Sequence, residues 1–145
     1  MRAILCEQHG LPDSLIYTDI AEPTLGKGEV LIQVAACAVN FPDVLIIQNK
    51  YQFKPELPFA PGGEVAGKII GIGDQVQGFQ VGQSVLALCG WGGFAEKVAV
   101  DADRVFPLPA GLSAEVAATT LYTYGTSYHA LKDRANLQLG ETLLV

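Results

Sequence analysis

Residues 61–73, Pro-Gly-Gly-Glu-Val-Ala-Gly-Lys-Ile-Ile-Gly-Ile-Gly, decide the fold of this chain. Their apolar residues follow the pattern of a strand over 64–72, and glycines stand at positions 62, 63, 67, 71 and 73. Glycine at that density in a strand is typical of β-bulges and of the tight corners of a barrel. The stretch therefore predicts a bent strand in a compact, barrel-like β domain.

Short apolar stretches rich in β-branched residues lie on both sides of this strand. They predict strands over 2–6, 15–19, 29–39, 85–88 and 94–100, a spacing typical of small barrels. In the strand over 29–39, Val30, Ile32 and Val34 alternate with Gln33, as expected when one face is buried. Asn40 and Pro42 then favour a helix over 43–48. Prolines at 55, 58 and 61 favour an extended connection.

The pattern changes after Leu112. Ser113 is suited to be the N-cap of a helix over 114–122, and a second helix is predicted over 126–134. Gly140 then precedes Thr142-Leu143-Leu144-Val145, which is typical of a buried parallel strand. We expect a β domain over 1–112, then two helices and the first strand of an α/β unit over 113–145.

Composition and charge exclude several classes of protein. The 145 residues carry nine Lys+Arg against fifteen Asp+Glu, a net charge of −6. Without a basic cluster, nucleic acid and anionic membranes are unsuitable partners. The longest apolar run, residues 34–39, is far shorter than the roughly 20 residues of a membrane span. The N-terminus lacks the apolar core of a signal peptide, so we expect a soluble cytoplasmic protein.

Cysteine and histidine are sparse and scattered. Cys6, Cys37 and Cys89 are an odd number without a CxxC pair, which does not indicate a disulfide framework. Their apolar neighbours favour small buried side chains. His9 and His129 are far apart, so no cluster has the spacing of metal ligands.

Five motifs carry a resemblance to a known family. In chain order they are Val39-Asn40-Phe41-Pro42-Asp43, Gln48-Asn49-Lys50-Tyr51, Pro58-Phe59-Ala60-Pro61-Gly62-Gly63-Glu64-Val65-Ala66-Gly67, Val81-Gly82-Gln83-Ser84-Val85 and Gly92-Gly93-Phe94-Ala95-Glu96. Together they resemble the N-terminal GroES-like domain of the medium-chain dehydrogenase/reductases, in the zinc-independent quinone oxidoreductase branch. The resemblance covers essentially all 145 residues. It implies a partly open β-barrel, two helices and the first strand of a Rossmann domain, whose glycine-rich dinucleotide loop would follow Val145.

Zinc ligands are missing at the positions where the zinc-dependent members of this superfamily carry them. Asn40 stands where those members have Cys, and Gly63 stands where they have His, which leaves Glu64 alone. The second zinc site needs four Cys, and this chain has only Cys89 there. Neither a neutral carboxamide nor a glycine binds zinc well, so we expect a metal-free protein.

A site without a Lewis acid favours conjugated acceptors. Hydride addition to a quinone or to an α,β-unsaturated carbonyl spreads the negative charge, which hydrogen-bond donors can stabilise. The resemblance therefore implies NADPH as the cofactor, a quinone or enone as the small-molecule substrate, and a homo-oligomer for the full-length enzyme.

The resemblance also implies roles for individual residues. Asn40 matches an active-site Asn near the nicotinamide and could donate to the substrate oxygen, or cap the following helix, or do both. Tyr51 matches a tyrosine at the pocket mouth that could donate to or stack on a flat substrate. Thr126 matches a Thr that meets the nicotinamide carboxamide. Asp43 is interpreted as support for the helix turn, and Leu45 replaces a second pocket tyrosine of some relatives.

Two alternatives remain open from the sequence. One is an enoyl-thioester reductase of the same superfamily acting on acyl-CoA substrates, although Lys50 and Lys54 are the only bases near the expected pocket. The other is a GroES-like interaction module without catalytic activity. For the 145 residues by themselves, we expect a folded chain that neither binds NADPH tightly nor catalyses reduction. Its apolar C-terminal segment is expected to associate with another chain or to fray.

Overall fold

The structure is a computed structural model that describes residues 1–145 and contains seven strands. They are β1 (Arg2–Leu5), β2 (Ile16–Asp19), β3 (Glu29–Cys37), β4 (Glu64–Ile72), β5 (Ser84–Leu88), β6 (Lys97–Asp101) and β7 (Val105–Pro107). Five of them form an antiparallel sheet in the order β6-β3-β4-β5-β7, and β1 pairs with β2. Isolated bridges from Ala3 to Ala95 and from Cys6 to Phe59 join the small sheet to the rest. The sheets remain open, which confirms the mostly β, partly open fold.

Bulges bend the central pair of strands. The register of β3 against β4 shifts between Leu31 and Ile32 and again between Val34 and Ala36. Gly67 lies opposite Val34, and a Cβ at position 67 would lie 2.1 Å from the carbonyl oxygen of Gln33. Only glycine allows the two backbones to approach so closely, so the glycine pattern predicted the bend correctly.

The core lies on both faces of the five-stranded sheet. One face buries nine aliphatic side chains, namely Val30, Ile32, Val65, Ile69, Val85, Ala87, Val98, Val100 and Val105. The other face carries Ala66 and Leu86, which pack against Ala117 and Ala118 of the helical region. Val30 and Ile32 are buried and Gln33 is exposed, which confirms the alternation expected for this strand.

The helices are α1 (Phe41–Ile46), α2 (Ala114–Ala117) and α3 (Thr126–Tyr128), with π-helical turns over Leu121–Gly125 and His129–Arg134 on either side of α3. Those after Leu112 are shorter and more irregular than predicted. The Ser113 hydroxyl accepts a hydrogen bond from the N–H of Val116 at 3.4 Å, which confirms Ser113 as the N-cap. The helical region ends at Arg134, as the sequence predicted.

Several predicted boundaries are wrong, each for a local reason. The strand expected over 94–100 begins at Lys97, because Phe94 and Ala95 bond across to the small sheet instead. The helix expected from residue 43 begins at Phe41. Asp43 is its third residue, and the Asp43 side chain accepts a hydrogen bond from the N–H of Asn40, which precedes the helix. The short strand β7 was not predicted.

The expected strand Thr142–Val145 does not form. Residues 141–145 have no regular structure and are exposed, because no strand of either sheet lies beside them. A buried parallel strand needs neighbours on both edges. No helix in the structure is long and apolar enough to cross a bilayer.

Candidate functional site

The site is built around the N-terminus of α1, where a buried aspartate connects two segments. Asp43 accepts a hydrogen bond from the N–H of Asn40 at 2.8 Å and another from the N–H of Gly62 at 3.0 Å. Its side chain is buried, and burial raises its pKa, although the N–H groups of Asn40, Gly62 and Gly63 oppose that rise. Asp43 thus fixes Asn40 against the glycine pair that precedes β4, in agreement with a supporting role.

Glu64, the first residue of β4, is fully buried beneath Asn40. One carboxylate oxygen accepts from the amide nitrogen of Asn40 at 3.4 Å, and the other accepts from the N–H of Leu121. Burial raises the pKa of Glu64, opposed by the N–H groups of Leu121 and Tyr122 and by Asn40. This single carboxyl group connects α1, β4 and the helical region, so it sets the position of Asn40 relative to Tyr122.

Tyr122 occupies the space beside Gly63. A Cβ at position 63 would lie 2.6 Å from the Tyr122 hydroxyl oxygen and 3.0 Å from the carbonyl oxygen of Gly90. The hydroxyl makes no hydrogen bond within the chain. Burial raises the pKa of Tyr122 to about 12, and the negative charge of Asp43 acts in the same direction. The hydroxyl therefore stays protonated and can donate.

A cavity of about 500 Å³ opens beside this hydroxyl. It is lined by Ile46, Tyr51, Phe53, Leu88, Gly90, Trp91, Asp103, Arg104, Phe106 and Tyr122. The rings of Tyr51 and Phe53 meet edge to face, with their centroids 5.9 Å apart. Aromatic walls with few polar groups are typical of a site for a flat small molecule.

Thr126 lies on the exposed helical region, outside the cavity lining. The hydroxyls of Thr119, Thr120, Thr123 and Ser127 each donate to a backbone carbonyl three or four residues earlier. The Thr126 hydroxyl makes no such bond. It is therefore free to bond to another molecule.

The structure brings together some of the residues that the sequence singled out. Asn40 and Leu121, the residue before Tyr122, both donate to Glu64, and Tyr51 and Tyr122 line the same cavity. Neither Asn40 nor Thr126 lines that cavity. Sequence reasoning missed Tyr122, whose one available signal was its place at the end of a predicted helix, one turn before Thr126.

The cysteines do not supply a nucleophile to the site. Cys6 is buried, and Cys37 and Cys89 are half-buried. The Cys89 thiol donates to the carbonyl oxygen of Gly62 at 3.3 Å, and burial raises its pKa to about 12. Burial likewise raises the pKa of Cys37, so both thiols are protonated at neutral pH.

The residues at the three positions discussed for zinc do not form a metal site. Gly63 offers no ligand, its side-chain space is taken by the Tyr122 hydroxyl, and the amide nitrogen of Asn40 faces Glu64. No three His, Cys, Asp or Glu side chains are grouped so that they could hold a metal ion. The donor set therefore does not fit zinc.

Comparison with protein families gives a match to one domain. Residues 26–110 match the alcohol dehydrogenase GroES-like domain. The chain is 40% identical to the quinone oxidoreductase-like protein 2 homolog of Nematostella vectensis, over 99% of this chain and 40% of that protein.

Comparison with solved structures also finds similar proteins. The human synaptic vesicle membrane protein VAT-1 homolog-like protein superposes with a TM-score of 0.91 at 32% identity, over 95% of this chain and 45% of that one. The quinone oxidoreductase of Thermus thermophilus, solved also in complex with NADPH, superposes with a TM-score of 0.83 at 38% identity, over 97% and 43%. The chain thus spans about two fifths of the length of these proteins.

Proposed function

Because the chain belongs to the alcohol dehydrogenase GroES-like domain family, we propose that it is the substrate-binding part of an oxidoreductase that uses NADPH. The proposed reaction is the reduction of a quinone or an α,β-unsaturated carbonyl, without zinc. The observation that carries this proposal is the aromatic cavity, whose wall includes Tyr122, the residue after the Leu121 that Glu64 binds together with Asn40.

The cavity supports a flat conjugated substrate. Tyr51, Phe53, Trp91, Phe106 and Tyr122 contribute rings to its walls, and its volume of about 500 Å³ falls in the range of small-molecule sites. Aromatic rings stack favourably on flat unsaturated molecules. Tyr51, which the sequence suggested as a substrate contact, lies on this wall.

Asn40 supports charge stabilisation at the acceptor. One N–H of its carboxamide is directed to Glu64, and its carbonyl oxygen takes part in the capping box with Asp43, which leaves the second N–H available as a donor. A donor held in place by a buried carboxylate stabilises an oxygen that becomes negatively charged, with no reorganisation at the moment of reaction. Asn40 thus has the freedom and the support that a catalytic donor needs.

The proposed contacts of the nicotinamide end of NADPH are Asn40 and Thr126. When bound, NADPH supplies the hydride. Val39 and Phe41, on either side of Asn40, are 76% and 71% exposed and offer apolar surface to a flat ring. The free Thr126 hydroxyl and the Asn40 carboxamide would hold the polar carboxamide of the cofactor.

The lack of zinc ligands restricts the kind of carbonyl compound that the site can reduce. The donor set does not fit zinc, so the charge formed on a localised alkoxide would lack a Lewis acid. Conjugated carbonyls spread that charge over several atoms and need only hydrogen-bond donors. For this reason we propose quinones and enones rather than isolated ketones.

The cavity gives less support to the acyl-CoA alternative. A site for CoA phosphates would need a basic patch. Arg104 is the one cation in the lining, and Asp103 beside it offsets its charge. Lys50 and Lys54 do not line the cavity.

The proposal is tested in a protein that carries this chain, by NADPH oxidation with duroquinone as the acceptor. We expect Asn40→Ala to lower turnover about a hundredfold, as does the loss of one oxyanion donor. Asp43→Asn should lower it less, after correction for the folded fraction. Absence of duroquinone-dependent NADPH oxidation in the unmodified protein would contradict the proposed function and favour a non-catalytic module.

A further inference from the structure

We propose that the Tyr122 hydroxyl is the donor that binds the carbonyl oxygen of the acceptor inside the aromatic cavity. The inference rests on the proposed function for the kind of substrate, and it deepens that proposal by naming the group that recognises the carbonyl. It starts from three observations, namely the place of Tyr122, its support and its unused hydrogen.

Tyr122 stands where the cavity meets the glycine pair. Its hydroxyl oxygen lies 2.6 Å, and its Cε2 atom 2.9 Å, from the point where a Cβ at Gly63 would stand. Gly63 is buried, and the hydroxyl that lies beside it is itself accessible, because no fully buried side-chain oxygen in the chain lacks a hydrogen-bond partner. Tyr122 also lines the cavity. A side chain at position 63 would displace the hydroxyl, so the absence of one creates this donor position.

The backbone next to Tyr122 is held in place by a hydrogen bond to a buried carboxylate. The buried Glu64 carboxylate accepts from the N–H of Leu121, the residue before Tyr122, and from the side chain of Asn40. A donor supported in this way loses little conformational freedom when it binds a ligand. The same carboxylate also accepts from Asn40, so the two segments are held to one buried group.

The Tyr122 hydroxyl is free, and the charged groups of the cavity are less suitable as neutral donors. Tyr122 makes no hydrogen bond within the chain, whereas Asp103 offers only acceptors and Arg104 is exposed. Tyr51 is a second hydroxyl on the wall, half-buried against Ile46 and Phe59. A flat acceptor lying among the rings therefore finds an uncommitted neutral donor at Tyr122.

The test measures binding rather than turnover, so it does not depend on the cofactor. Trp91 is the one tryptophan of the chain and lines the cavity, so its fluorescence reports what enters. The 145-residue chain is titrated with duroquinone and with durene, which has the same ring and methyl groups without the two oxygens. Calorimetry gives the dissociation constants.

We expect Tyr122→Phe to raise the dissociation constant of duroquinone roughly fivefold, the loss of one hydrogen bond, and to leave that of durene unchanged. Tyr124→Phe is the matched control, because Tyr124 is 74% exposed and outside the cavity. It should change neither constant.

Three results would overturn the inference. They are unchanged duroquinone binding by Tyr122→Phe, an equal weakening of duroquinone and durene, and no response of Trp91 to duroquinone in the unmodified chain. The activity assay separates this inference from the proposed function. Reduction of duroquinone that is undiminished in Tyr122→Phe would leave the function standing and remove Tyr122 from it.

Discussion

At the scale of single residues, the glycine at position 63 determines which groups can lie beside the start of β4. Gly63 leaves a space beside β4 that the Tyr122 hydroxyl and the Gly90 carbonyl oxygen approach. Glu64, the next residue, is fully buried and directs its two oxygens to Asn40 and to the N–H of Leu121. Gly63 thus shapes the space beside Tyr122, and Glu64 orients the N–H groups of Asn40 and Leu121.

Gly63→Ala should destabilise the chain because its methyl group would overlap Tyr122. We expect the free energy of unfolding to fall by about 2 kcal/mol, a typical cost of overpacking. Urea denaturation of the chain measures it. The second change Tyr122→Leu should recover part of the loss, since it removes the overlapping ring.

Gly125→Ala is the matched control for this substitution. Gly125 has helical dihedrals, and nothing lies within 4 Å of a Cβ placed there. Alanine there should stabilise the chain slightly. Equal effects at positions 63 and 125 would contradict the proposed contact.

Glu64 should give the chain a pH-dependent stability. Its pKa is raised in the folded state from an ordinary value of 4.5, so the folded chain holds more protons than the unfolded chain above that pH. The free energy of unfolding should therefore fall as the pH rises from 4.5 through the raised pKa. The buried Asp43 acts in the same direction, from an ordinary value of 3.8.

The measurement is the urea midpoint from about pH 4 to about pH 8. Glu64→Gln should flatten this slope, because the amide does not titrate. Glu7→Gln, at an exposed position, should keep it. A slope that is the same in Glu64→Gln and in the unmodified chain would show that Glu64 is not its source.

At the scale of elements, the pairing of β3 with β4 holds the sheet together. β4 is the central strand of the five, and β3 lies beside it with two register shifts. The two backbones approach closely at Gly67, opposite Val34. The bulged strand can bend here because no side chain stands between the two backbones.

Gly67→Ala should therefore cost far more than an ordinary glycine substitution. A Cβ at position 67 would lie 2.1 Å from the Gln33 carbonyl oxygen, so a backbone has to move. We expect a loss of about 3 kcal/mol or more in the free energy of unfolding, measured with urea. Gly71→Ala on the same strand is the control, because its nearest neighbour is a flexible Leu25 methyl at 3.3 Å. A smaller loss at 67 than at 71 would contradict the argument.

At the scale of the whole molecule, the residues singled out for the site lie in two regions of the chain. The cavity, Asn40 and the free Thr126 hydroxyl belong to the β domain and to the helical region that follows it. The apolar residues Leu139, Leu144 and Val145 are almost fully exposed. The expected homo-oligomer and the cytoplasmic location remain predictions.

The 145-residue chain by itself should not bind NADPH with micromolar affinity. Its sequence contains no Gly-x-Gly-x-x-Gly turn before a helix, which is what accepts the pyrophosphate in dinucleotide-binding folds. Asn40 and Thr126 would touch only the nicotinamide end. Calorimetric titration measures this, with the Thermus thermophilus quinone oxidoreductase, solved with NADPH, as the positive control. A micromolar dissociation constant would contradict the prediction.

The sequence by itself determined most of the strands and the open β fold. Strand β4 has the predicted bounds, because alternation and glycine spacing are local properties that a strand imposes on its own residues. Ser113 likewise caps α2 as predicted, since a cap depends on residues three positions apart. Asn40 was singled out by its motif, and its part in catalysis stays a prediction.

Only the tertiary structure decided how distant residues meet. Tyr122 lies beside Gly63 because the helical region packs on the sheet through Ala117 and Ala118, a contact between segments over fifty residues apart. The strand expected over 142–145 failed for the same kind of reason, since an apolar run becomes a buried strand only where neighbouring strands receive it. Local patterns specify elements, whereas the approach of side chains across the fold depends on packing, which no short stretch of sequence contains.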